Sequence, residues 1–255
     1  TSAMGITYFY RPLNFVPVFS ETFLLKVMLA GVFCGLAAML LIELMKYFER
    51  RAHALRIWEP YKGLIGGAAL VFMAVLASRR YLGLGLDVIE NTLSGVPAHW
   101  YDFALKSVFT SVTLAFGGSG GIITPIFFVG TTAGSLYAGF MHLDHATFAA
   151  IGMCALLAGA ANTPIAASIM AVELFGPAVA PYATVACVIS FLMTGNRSVY
   201  PSQVLSVSKS ESIKVELGRE LQGMTAAYSP KPGGVAALAL RFIQKVDEAV
   251  NSLRR

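Results

Sequence analysis

Downstream of Pro125 the apolar sequence comes in unequal pieces: Ile126 to Phe140, Thr147 to Leu157, Pro164 to Phe175 and Tyr182 to Met193. Several fall short of the roughly 20 residues that a helix needs to cross about 30 Å of hydrocarbon. Non-helical backbone at that depth is tolerated only where it is buried in protein or lines a polar cavity. Broken, unequal helices that meet near the midplane belong to transporters and channels. The pattern therefore predicts an all-α polytopic membrane protein, with broken and tilted helices around a polar site.

Composition agrees. The chain is 56% hydrophobic and 13% charged, against about 25% charged in an average soluble domain. Net charge is +5, but the basic residues gather at segment ends and in the C-terminal tail. That is a positive-inside bias, not the footprint of a nucleic-acid binder. Phe23 to Phe48 is long enough to span and tilt. It ends in Lys46, Glu49, Arg50, Arg51 and Arg56, which marks that end as cytoplasmic. Glu43 and Lys46, one turn apart there, read as a surface pair. Leu64 to Leu76, anchored by Trp58, Tyr61 and Lys62, carries small residues for close packing. Gly83 to Leu86 breaks the helix before a short element, Asp87 to Leu93, and Trp100 to Phe116 forms the third long segment.

The stretch Gly117-Gly-Ser-Gly-Gly121-Ile-Ile-Thr-Pro125 then puts a glycine-rich loop at the start of an apolar helix. A helix N-terminus carries roughly half a positive charge and several unpaired N–H groups. At membrane depth an anion is a natural partner for them. Glycines let the amides approach a small ligand, and Pro125 fits the first turn, where its missing N–H costs nothing. Taken alone, the stretch also reads as a flexible loop before an ordinary helix. A Walker-type phosphate loop is disfavoured, because the Lys-Ser/Thr ending and a preceding parallel strand are missing.

Other polar groups read as structural. Cys34, Cys154 and Cys187 lie inside apolar segments as packing residues, and imply neither disulfide nor metal. His53, His99, His142 and His145 sit in polar connections, with Asp144 between the last pair. Asn162-Thr163-Pro164 reads as a capped helix start, with Asn162 or Thr163 as the cap and Pro164 in the first turn. Glu173 is an intramembrane acid, but it stands just before Gly176-Pro177, where a helix-end role is equally open. Neither a Ser/His/Asp constellation nor His-Glu-x-x-His is found in the spans, so no enzyme, catalytic residue, metal site or cofactor is expected. Residues 209–255 form a polar tail. Within it, Lys209 to Gln222 reads as a short helix, Tyr228 to Gly234 as a linker and Val235 to Arg255 as an amphipathic terminal helix. The chain opens near the end of an apolar segment, Ala3 to Tyr10, as a part of a longer protein would.

Four motifs now stand in order. Gly121-Ile-Ile-Thr-Pro125 resembles the Gly-x-Phe-x-Pro motif of the CLC family of chloride channels and anion/proton antiporters, and Ile126 to Gly134 its small-residue helix. Ile151-Gly-Met-Cys-Ala-Leu-Leu-Ala158 resembles a second family segment. Asn162-Thr-Pro164 to Glu173 resembles a third. Ser198-Val-Tyr200 sits where the family places its pore tyrosine. The resemblance runs up to about Lys209. It implies a CLC-type fold of inverted repeats, with this chain as the second half of a subunit plus the end of the first. Residues 1–208 would be the transport domain and residues 209–255 a cytoplasmic tail.

The same resemblance implies an anion site made by Gly121 and the backbone N–H groups of Ile122, Ile123 and Thr124, with the Tyr200 hydroxyl as a further donor. The bound species would be a halide, and the partners protons, the lipid bilayer of a bacterial inner membrane and a second copy in a homodimer. Ile123-Thr124 departs from the usual Phe and its neighbour and resembles the fluoride-exporting branch. Proton-coupled fluoride antiport is thus the expected activity, and a chloride channel or chloride/proton antiporter the alternative.

Overall fold

The computed structural model describes residues 20–195, 197–200, 202–203, 213–214 and 227–228. The chain divides into two compact units, Thr1–Val199 and Tyr200–Arg255. The described part of the first unit is all-helical, with helices of very unequal length. In chain order they are α1 (Glu21–Ala54), α2 (Glu59–Leu76), α3 (Leu86–Leu93), α4 (Asp102–Ala115), α5 (Ile123–Met141), α6 (His145–Ala161), α7 (Pro164–Phe175) and α8 (Ala180–Met193). A short 3-10 turn, Arg79–Tyr81, precedes α3. Among the described residues, α1, α2 and α5 are long and apolar enough to cross a membrane, whereas α6, α7 and α8 are shorter apolar helices. The segment Trp100 to Phe116 yields a helix of only 14 residues, because Tyr101 and Phe116 lie outside its turns.

The centre of this unit is α6, which packs against α1, α3, α5, α7 and α8. Its residues from Thr147 to Ala161 are all buried, as expected for a helix that is apolar on every side. Small residues permit its closest crossing. A Cβ built on Gly130 of α5 would stand 2.7 Å from the Gly152 carbonyl oxygen and 2.7 Å from the Met153 Cα of α6. Cβ atoms on Gly134 and Gly152 would strike the facing backbone harder still. Gly130 and Gly134 stand four residues apart on one face, the small-residue spacing that lets membrane helices touch backbone to backbone. Gly31 and Gly35 do the same for α1 on α8.

Helix ends differ in detail from the sequence reading. Asn162, at φ 58°, closes α6 in the left-handed conformation instead of capping α7. Thr163 holds the cap position of α7 without a side-chain bond to it, and Pro164 occupies the first turn as expected. Glu43 pairs with Arg197, at 3.0 Å from its Nε, and not with Lys46. The packing of α1 on α8 brings that distant residue to hand. His142, at φ 51°, closes α5, and Asp144 caps α6 by accepting the Thr147 amide at 2.7 Å.

In the second unit, Ile213–Lys214 pairs antiparallel with Ala227–Tyr228, Ile213 facing Tyr228. The helix expected over Lys209 to Gln222 is therefore wrong at Ile213 and Lys214, and Tyr228 is strand where a linker was expected. The alternation Ile213-Lys-Val-Glu216, with β-branched residues, has the period of a strand. The segment Ala3 to Tyr10, the rest of 209–222, the rest of the linker and Val235 to Arg255 lie outside the described residues.

Candidate anion site at the start of α5

The glycine loop runs from the end of α4 into α5. Gly117, at φ 87°, makes the first turn of that loop, and Gly118 lies so close to α4 that a Cβ would stand 2.6 Å from the Thr113 carbonyl. Gly120 and Gly121 differ: a Cβ on either would meet no atom within 4 Å. Packing does not require glycine there. Both residues are exposed.

α5 then begins with no side-chain cap at Ile122. Its first internal bond is donated by the Ile126 amide to the Ile122 carbonyl at 3.1 Å. Pro125 has no N–H to offer. Among the described residues, the amides of Gly121, Ile122, Ile123 and Thr124 donate no hydrogen bond, and the Thr124 hydroxyl makes none. These four successive donors stand at the end of α5 where the helix dipole is positive. Ile123 is exposed and Ile122 and Thr124 are half-buried, so the cluster opens away from this unit's core. Chemically it can accept a small anion and replace part of its hydration shell with fixed N–H groups. Thr124 adds a hydroxyl beside them.

Tyr200 belongs to the second unit. It is exposed, and its carbonyl accepts the Gln203 amide at 3.2 Å. The residues leading to it are fixed within the first unit. Val199 donates its amide to the Ala160 carbonyl at 2.9 Å, Ser198 and Val199 are buried, and Arg197 is held by Glu43.

Sequence reasoning missed the polar cluster beneath α5. Asp102, at the start of α4, is fully buried. It accepts the Tyr81 hydroxyl at 2.5 Å, the His99 amide at 3.0 Å and the Arg80 guanidinium at 3.3 Å. Burial, and then the bond to Asp102, push the Tyr81 phenol above its ordinary range; it stays a hydrogen-bond donor. One turn further along α4, Lys106 is buried as well. The signal was present: two charged residues four apart in an otherwise apolar segment.

Glu173 is exposed on α7 two residues before its end. Cys34, Cys154 and Cys187 are buried free thiols.

Comparison with known proteins converges on one family. Residues 4–195 match the family described as voltage gated chloride channel. A chloride/fluoride channel protein of Pseudomonas syringae pv. tomato is 37% identical over 193 residues, covering 72% of this chain and 42% of that protein. A voltage-gated ClC-type chloride channel, ClcB, of Escherichia coli is 28% identical over 175 residues, covering 64% of this chain and 42% of that one. The crystal structure of a CLC-type fluoride/proton antiporter superposes with a TM-score of 0.72 at 25% identity, over 78% of this chain and 51% of the other. The chain thus spans about half or less of the length of the proteins it matches.

Proposed function

Because this chain belongs to the voltage gated chloride channel family, we propose that it forms the second half of a proton-coupled fluoride antiporter of the CLC type. The observation that carries the reading is the row of unpartnered amides from Gly121 to Thr124 at the start of α5. The halide sits on these amides; a donor role for the Tyr200 hydroxyl rests on the resemblance of its Ser-Val-Tyr position alone. Ile123 and Thr124 favour fluoride. That ion is small and strongly hydrated, so its shell must be replaced by more and better donors. The names of the chloride/fluoride channel protein and of the fluoride/proton antiporter support this choice over chloride. The protein works as a homodimer in the bacterial inner membrane, with its tail in the cytoplasm. No catalytic residue and no cofactor take part.

Calorimetric titration of the full-length protein with fluoride and with chloride tests the site. Thr124→Val keeps the shape and removes the hydroxyl, and Tyr200→Phe removes the phenol. One lost hydrogen bond to a charged group is worth about 1.5–3 kcal/mol, so each change is expected to weaken fluoride binding by at least about tenfold. Unchanged fluoride affinity in both variants overturns the assignment of these donors.

A further inference from the structure

Lys106 is 1% exposed, in the middle of the packed helices of the first unit. A buried ammonium in a membrane protein is costly unless something compensates it. Its Nζ donates to the Gly83 carbonyl at 2.6 Å and to the Tyr81 carbonyl at 3.1 Å, and stands 5.1 Å from the ring centre of Phe128. These groups are dipoles and a quadrupole, not charges. Among the described residues no carboxylate reaches it within 4.0 Å. The nearest acid along α4, Asp102, is committed elsewhere: its charge is matched by Arg80 at 3.3 Å. Arg80, Asp102 and Lys106 together leave one positive charge unbalanced beneath α5.

Phe128 shows where that charge acts. The ring is fully buried on α5, wedged under Gly85, whose Cβ would stand 2.6 Å from it, and against Tyr81 at 6.2 Å. Phe128 follows Thr124 by one helical turn and Ile123 by five residues, about 7.5 Å along the axis. The ammonium therefore lies against α5 one turn beyond its unpartnered first amides, on the order of 10 Å from them along the helix. An anion at those amides would be its missing counter-charge.

We infer that Lys106 is a fixed positive charge behind the start of α5 that tightens the binding of a small anion there, a positioning residue that never touches the ion. The inference rests on the anion site proposed above. A unit charge at roughly 10 Å in a medium of effective dielectric about 20 changes an anion's affinity by about tenfold.

The test separates charge from hydrogen bonding. Lys106→Gln keeps N–H donors for the two carbonyls and removes the charge; Lys106→Arg keeps both. Fluoride affinity is measured by calorimetry on the full-length parent and both variants at constant ionic strength, beside thermal unfolding without fluoride. The expected result is about tenfold weaker binding in Lys106→Gln, with parent-like affinity in Lys106→Arg. Parent-like affinity in a folded Lys106→Gln overturns the inference. A tenfold loss in a folded Lys106→Arg overturns it too, so a failure of the Gln variant to fold still leaves a decisive arm. If the parent itself binds no halide, the anion site is wrong, and that outcome is distinct from either variant result.

Discussion

Tyr81 donates its hydroxyl to Asp102 at 2.5 Å, across a gap of 21 residues that joins the turn after α2 to the first turn of α4. Asp102 has no exposed surface, and its other acceptor sites are taken by the His99 amide and Arg80. Asp102→Ala would strand a buried phenol, an amide and a guanidinium at once. The expected cost is on the order of 3 kcal/mol, seen as a lower unfolding temperature of the detergent-solubilised protein. A loss below about 1 kcal/mol, the range of an exposed pair, would show that this cluster does not hold the turn.

Two glycines of the same region should respond in opposite ways. Gly130 faces the backbone of α6 at the closest helix crossing, so Gly130→Val is expected to destabilise by about 2 kcal/mol or more. Gly121 faces open space and is not among the positive-φ glycines. Gly121→Ala is expected to leave stability within about 0.5 kcal/mol while weakening fluoride binding at least about tenfold, because its methyl group takes up room before the amides. Thermal unfolding and calorimetry on both variants check the pair. A Gly121→Ala protein that binds fluoride like its parent would contradict the position of the site.

The sequence carried the elements that obey local rules. Pro164 to Phe175 is legible to the residue, because a proline opens it and Gly176, at φ 86°, stops it. The start of α5 just after the glycine loop was legible too, because Pro125 fits a first helical turn. What escaped depends on tertiary partners. α6 runs to Ala161, past the expected Leu157, because buried small residues continue it through a stretch without apolar bulk. Asn162 and Thr163 both read as the cap of α7; Thr163 holds that position, and only the chain's direction at φ 58° shows Asn162 closing the helix before it. The Glu43–Arg197 pair joins residues that no helical periodicity relates. Asp102 and Lys106 were visible as charges, but not as buried ones, since the turn at Arg79–Tyr81 that satisfies them leaves no periodic signature.

α7 and α8 present an outward apolar surface. Ile165, Ile169 and Val172 share one face of α7, and Val188 and Leu192 project from α8. In the proposed homodimer a second copy covers this surface. Charged substitution, Ile169→Glu, is expected to shift the full-length protein in mild detergent from dimer to monomer, read by light scattering. An unchanged dimer would place the interface elsewhere.

In the proposed function, the first turn of α5, with Ile123 and Thr124 at its head, belongs to a proton-coupled fluoride exporter. Reconstitution of the full-length protein in liposomes, with fluoride, chloride and proton movement followed by electrodes, tests it most directly. Fluoride efflux at least about tenfold faster than chloride, a difference near 1.4 kcal/mol, with protons moving in the opposite direction, is the predicted result. Chloride moving as fast as fluoride, or fluoride moving without protons, would contradict it.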